Sequence, residues 1–307
     1  MLTRAAECGK HPRMASIAVD RTTTPRIGAI HGMRRVGLVL AGIAIFWALW
    51  EAYRWIGESL GITWPFPVNG TNMPHIHDML HAFTQPLQPG GPPLIHYEWH
   101  WALFTMKEAL LGFVLGGLIG FGLAVLLAHS VILRRGLLPY IVISQTVPIL
   151  AIAPMVVVGL GTKGVTPWVS VAVIAAYLTF FPVAMNTLRG LLSPRPRDLE
   201  LMRSYAADRR SVLWKLRLPA SLPFVFSALK IAATASIVGA IVGEGNPGGS
   251  QFGLGRAILN FNEQYITGPE KLWAAMIAAA LLGLAFFVAV RLLELFTLRG
   301  RPNAALG

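Results

Sequence analysis

The chain has 307 residues, of which 54% are hydrophobic and 13% charged, whereas a soluble globular domain carries about 25% charged residues. That composition excludes a soluble globular fold, and the net charge of +12 does not point to nucleic acid, because the basic residues are sorted by loop. None lies between Trp55 and Met106, while the N-terminal tail and Arg189–Arg217 are rich in them, which is the topology signal of an integral membrane protein.

Residues 1–35 lack a continuous apolar core and read as a disordered cytoplasmic tail rather than a cleavable signal peptide. The lone cysteine, Cys8, falls in this tail, so neither an internal disulfide nor a cysteine metal site is available. A transmembrane domain over residues 36–298 follows, with a short cytoplasmic tail at 299–307. Apolar stretches long enough to span occur at Val36–Trp55, Trp101–His129, Leu137–Leu160, Val165–Leu188, Leu222–Gly243 and Leu272–Phe296. The expected fold class is therefore all-α: a polytopic helix bundle of about six transmembrane helices. Arg34, Arg35, Arg134, Arg135, the 189–221 loop, Arg299 and Arg301 are placed inside, with both termini cytoplasmic.

The outer loop Gly57–His100 is proline-rich, and its Trp64-Pro65-Phe66-Pro67 opening reads as an interfacial turn. His75, His77 and His81 suggest an amphipathic interfacial helix in preference to a metal site, since no fourth ligand is evident. In the second span Gly112, Gly116, Gly117, Gly120 and Gly122 allow close helix packing. Ser144-Gln145-Thr146-Val147-Pro148 in the third span, and more weakly Asn186 in the fourth, either line a polar path or re-satisfy a proline kink. Glu244 falls at the outer membrane edge, as a solvated interface charge or as a gate. No catalytic constellation and no carboxylate pair within the spans is apparent, and no phosphate-binding loop occurs.

Residues 198–232 are the most specific stretch. Asp198 reads as an N-cap, Glu200 falls in the first turn of a basic amphipathic helix, and Pro219 ends it. Glu200-Leu201-Met202, three residues, Ala206, nine residues and Leu216-Arg217-Leu218-Pro219 resemble the cytoplasmic E-A-A … G … I-x-L-P loop of bacterial ABC importer permeases. Ala206 stands where the family has Gly, and an alanine resists the left-handed backbone a glycine adopts freely, so a sharp turn there is not expected. The resemblance extends over about Trp101–Phe296 to the nitrate, sulfonate and taurine branch and its relatives for thiamine-pyrimidine precursors and riboflavin.

That resemblance implies a type I-like permease fold in the bacterial inner membrane and a non-enzymatic subunit. It also implies a permease homodimer in lipid, cytoplasmic ABC ATPase subunits that hold the ATP and Mg, and a periplasmic or lipid-anchored substrate-binding protein. This chain is expected to bind no cofactor, metal or nucleic acid. By the same resemblance, Glu200, Arg203, Tyr205, Ala206, Ala207, Asp208, Leu216, Leu218 and Pro219 form the ATPase-coupling loop. Ser144, Gln145, Thr146, Pro148, Asn186 and Glu244 are the candidates for a path or gate. The alternative is a secondary transporter working without an ATPase, which would show an ionisable residue deep in a span.

Overall fold

The computed structural model describes residues 25–61, 67–266 and 268–298, with side chains from Gly37 onward. The expected tail up to residue 24, the Trp64-Pro65-Phe66 turn and the 299–307 tail lie outside the described residues. Two compact units are present, Met1–Pro65 and Phe66–Gly307. The first contains α1 (Pro25–Leu60), which begins within the segment expected to be a tail. Its Gly37–Leu60 stretch is long and apolar enough to cross a membrane, and Arg54 pairs with Glu58 one turn on, at 3.0 Å.

The second unit is built from α2 (Ile76–Ala82), α3 (Leu94–His129), α4 (Val131–Ser144), α5 (Ile149–Gly161), α6 (Pro167–Leu191), α7 (Pro196–Ser204), α8 (Arg209–Val212), α9 (Leu218–Glu244), α10 (Leu254–Glu263) and α11 (Pro269–Leu298). A π-helical turn, Leu213–Arg217, joins α8 to α9. Helices α3, α6, α9 and α11 each qualify as spans by length and composition.

Small residues decide how the spans pack. In lipid there is little hydrophobic gain in bringing helices together, so close van der Waals approach has to hold them. Gly112, Gly116 and Gly120 face α6 so closely that a Cβ on any of them would meet its backbone at Ala172, Ala176 or Phe180. Gly117 and Gly122 face open space, so every fourth glycine makes the seam and the other two do not. Contacts advance together along α3 and α6, from Gly112–Ala175 to Gly120–Ala184, so these helices run parallel. Helix α9 runs antiparallel to α6, with Gly190 against Ser221, Gly239 against Ala175 and Gly243 against Val171. Helix α11 closes the bundle through Phe286 and Val290, and through a Lys230–Glu294 ion pair at 2.8 Å.

The expected third span, Leu137–Leu160, is not one helix. Helices α4 and α5 meet at 92° across the break Gln145–Pro148. Pro148 supplies no N–H to continue the ladder. The freed carbonyls find side chains: the Ser144 hydroxyl donates to Ile141 O and that of Thr146 to Ile143 O, each at 2.8 Å, while Tyr177 donates to Ser144 O. Because α3 and α6 are parallel, the chain between them must return across the membrane. The bent α4–α5 pair is thus a broken span, and with α1 the described residues hold six.

Candidate functional site

The segment expected to couple to an ATPase is a helix–turn–helix, not the single amphipathic helix expected from its sequence. Helix α7 starts at Pro196 with Arg195 as its N-cap, so Asp198 lies in the first turn and Glu200, exposed, one residue beyond it. The helix closes in a Schellman motif: Ala206 N–H donates to Arg203 O at 2.9 Å and Ala207 N–H to Met202 O at 3.0 Å. That motif requires a left-handed residue, and Ala206 supplies it at φ 50°. The sharp turn doubted from the sequence is present, because two backbone hydrogen bonds offset the strain of an alanine there.

Asp208 then caps α8, its carboxylate accepting from Ser211 N–H at 3.1 Å. The hydroxyl and backbone N–H of Ser211 together hold the Asp208 carboxyl below the usual carboxylate range. Pro219 does not end a helix. It sits in the first turn of α9, where its missing N–H costs least. The π-turn ahead of it, closed by Leu218 N–H to Leu213 O, carries the chain from α8 into the span with no loop between.

This segment is attached to the bundle on one side only. Leu213 packs with Leu127 and Leu191, with Leu218 beside them, and the Arg217 guanidinium donates to Ala128 O at 2.9 Å, satisfying a carbonyl in the last turn of α3. No residue of α7 or α8 is buried. Leu201, Tyr205 and Trp214 stand 57%, 76% and 62% exposed, a density of large apolar groups unusual on a charged loop. Arg203, Ala207, Arg209 and Arg217 line a cavity of about 280 Å³ against Ala128 and His129.

At the opposite end of the bundle lies a site the sequence did not reveal. Glu244, read there as a solvated charge or a gate, is fully buried, as are Glu108 and Thr105 of α3. Thr105, one turn before Glu108 on α3, donates to Glu244 Oε1, so the two carboxyls are brought together, a carboxylate pair inside the bundle where none was expected. The pair is formed by residues 136 positions apart, Glu108 inside the expected Trp101–His129 span and Glu244 just past the expected Leu222–Gly243 span. Only the parallel α3–α6 and antiparallel α6–α9 packing brings Glu108 to Glu244.

The reason for burying Glu244 is local. Helix α10 begins after Gly253, which has no side chain to cap it. Its first N–H groups are met by other elements: Leu254 N–H donates to Thr105 Oγ1 at 2.9 Å and Gly255 N–H to Glu244 Oε2 at 2.6 Å. Thr105 in turn donates to Glu244 Oε1 at 2.6 Å. A carboxylate at a helix N-terminus is favoured by the helix dipole. Gly253, at φ 124°, is required twice over, for that backbone and because a Cβ would fall on the Glu244 carboxyl. Ser250 donates to Glu108 Oε1, so the acid pair ties α3, α9, α10 and the 245–253 segment together. Two ionised carboxylates about 4 Å apart would repel by about 4 kcal/mol at an effective dielectric constant near 20. Lys107 Nζ is engaged over the Trp168 ring at 4.1 Å.

The other path candidates sit at the break in the third span. Ser144 and Gln145 are half-buried, Thr146 and Pro148 exposed. The Gln145 amide nitrogen is buried without a partner, whereas Asn186 bonds back to Pro182 O at 2.9 Å and so serves its own helix's proline. In the outer loop, His77 pairs with Asp78 and His81 with Gln85, both at 3.1 Å, on a helix of seven residues.

Comparison with known proteins fits this architecture. Residues 114–297 match the family of binding-protein-dependent transport system inner membrane components. The formylaminopyrimidine transport permease protein ThiX of Halalkalibacterium halodurans is 34% identical over 190 residues, 62% of this chain and 73% of that one. The riboflavin transport system permease protein RibX of Chloroflexus aurantiacus is 33% identical over 202 residues, 66% of this chain and 72% of that one. Lower-identity relatives are named for aliphatic sulfonates, taurine and nitrate. A solved amino acid ABC transporter superposes with TM-score 0.53 at 19% identity, over 65% of this chain and 94% of that one, which shows the shared fold. These matches support an ABC importer subunit over a carrier working without an ATPase, and the chain belongs to the binding-protein-dependent inner membrane components, the multi-pass permease subunits of ABC importers.

Proposed function

We propose that this permease, as a homodimer in lipid, carries a nitrogen-containing heteroaromatic metabolite of the formylaminopyrimidine or riboflavin kind into the cell. The substrate is delivered by a periplasmic or lipid-anchored binding protein and driven by a pair of cytoplasmic ATPase subunits. Support for the substrate class comes from ThiX and RibX, at 34% and 33% identity. The permease itself performs no chemistry: ATP and Mg are held by the partner, both termini and the coupling segment lie on the cytoplasmic side, and no cofactor or metal is bound here.

The observation that carries the reading is the coupling segment. A helix–turn–helix with no buried residue in either helix exposes Leu201 and Tyr205, while Arg217 and the π-turn connect it rigidly to α3 and α9. Tyr205, Ala206 and Asp208 form the tip that enters the ATPase, with Ala207 half-buried behind them. Glu200 and Arg203 flank the tip, and Leu216, Leu218 and Pro219 carry its motion into the span. Closure of the ATPase pair pushes this lever, and the bundle rocks between outward- and inward-facing states. The Gln145–Pro148 break, with its unpaired Gln145 amide, borders the path.

Co-purification tests this. The tagged permease, gently solubilised, should bring down an ATPase subunit, and Tyr205→Arg should abolish the association while leaving the permease in the membrane. The accompanying binding protein should gain thermal stability from heteroaromatic ligands. An ATPase that associates equally well with Tyr205→Arg would refute the tip, and a binding protein stabilised by sulfonates instead would refute the substrate class.

A further inference from the structure

The oxygens of the buried acid pair have unequal hydrogen-bond partners. Each Glu244 oxygen already accepts from a donor, Oε1 from the Thr105 hydroxyl and Oε2 from Gly255 N–H. The Arg256 N–H lies beside them at the same helix N-terminus. Glu244 therefore has the surroundings of an ionised carboxylate. Glu108 does not. Its Oε1 accepts from Ser250, and its Oε2 is buried with no donor facing it, while the side chain, fully enclosed, stands one turn beyond Thr105, the donor to Glu244, on α3. An acceptor facing an acceptor in a water-poor interior is tenable only if one of them carries hydrogen.

We propose that Glu108 is the protonated member and donates from Oε2 to an ionised Glu244. The neutral acid and the carboxylate together form a latch that positions the 245–253 segment and the start of α10 on α3. Among the described residues, the other ionisable groups toward this end of the surrounding elements are His96, Glu98, His100 and Lys107 on α3, Arg256 and Glu263 on α10, and Glu270 and Lys271 on α11. Lys107 on α3 is engaged with Trp168, Arg256 lies in the first turn of α10, and Glu270 and Lys271 in the first turn of α11. Helices α6 and α5 contribute none at this end, which leaves the proton as the partner of Glu108. Glu108 and Glu244 are thus positioning residues that fix the 245–253 segment of the permease. The inference rests on the permease reading only for its consequence in transport.

The arrangement is asymmetric, and so is its test. Glutamine mimics a protonated carboxyl, offering one acceptor and N–H donors. Glu108→Gln therefore keeps a donor aimed at Glu244, whereas Glu244→Gln turns an N–H against the donors of Thr105 or Gly255. The full chain in lipid nanodiscs, in a Cys8→Ser background with Ala257→Cys, buried in α10, as a probe, is read by thiol labelling and infrared spectroscopy. Glu108→Gln should leave the labelling rate of the probe unchanged and remove one protonated-carboxyl band from the wild-type spectrum. Glu108→Ala and Glu244→Gln should both raise the labelling rate, by roughly 10- to 100-fold for a lost charge-assisted hydrogen bond. Glu108→Gln that loses no such band, or that labels as fast as Glu108→Ala, overturns the assignment even if Glu244→Gln fails to fold. Neither readout involves an ATPase or a substrate, so failure here is distinguishable from failure of the importer reading.

Discussion

Single residues at the two ends of the bundle do opposite things with backbone geometry. Gly253 is a glycine where only a glycine fits, because its backbone is left of the ordinary region and its missing Cβ leaves room for the Glu244 carboxyl. Ala206 is an alanine where a glycine would be easier. The left-handed conformation costs an alanine about 1–2 kcal/mol, and the Schellman hydrogen bonds hold it in place. Ala206→Gly should accordingly tighten the α7 C-terminus by about 1 kcal/mol, seen as roughly fivefold slower amide hydrogen exchange at Ala206 and Ala207. Unchanged or faster exchange would mean that the turn is not under strain. The sequence alone carries the position of this turn but not its conformation: the family-like spacing around Ala206 is legible, while the two hydrogen bonds that stabilise it depend on where α7 starts, at Pro196.

At the scale of elements, the seam between α3 and α6 is the structural basis of the permease. Every fourth glycine, at 112, 116 and 120, brings α3 against the α6 backbone, and a Cβ at Gly116 would press on Ala176 and on Thr179 Cβ at 2.8 Å. Gly116→Leu should destabilise the bundle by at least about 1–3 kcal/mol, the usual cost of overpacking, and lower the melting temperature in detergent. Gly117→Leu, facing open space, should leave it nearly unchanged, and equal effects of the two would contradict the seam. The glycine pattern was visible in the sequence as a class of residues; which of the five face α6 follows only from helix phase. Hydropathy likewise located the third span but could not show its 92° break, since Leu137–Leu160 is apolar throughout apart from a few polar side chains that serve the freed carbonyls. Nor could it show that α8, the π-turn and α9 run on through Pro219, because a proline is as compatible with a helix start as with a helix end.

Across the whole molecule, two regions bracket the bundle. The coupling segment grips the end of α3 through Arg217 and Ala128, and the acid pair grips the other end of α3 through Glu108 and Thr105. Helices α3 and α9 run between them, so the proposed lever and the 245–253 segment are joined through continuous helix. The first region could be singled out from the sequence because its motif is local, and the second was missed because its members, Thr105, Glu108, Glu244, Ser250 and Gly255, are joined only by tertiary packing. Membrane class and the approximate positions of the spans were legible from apolar length. The most direct test of the coupling lever is site-specific cross-linking in the assembled importer. Tyr205→Cys in the Cys8→Ser background should cross-link to the ATPase subunit, and the link should block ATP-driven uptake in proteoliposomes until it is reduced. A Cys at position 205 that stays free in the assembled complex, or a cross-link that leaves uptake untouched, would contradict the assignment of this segment as the lever.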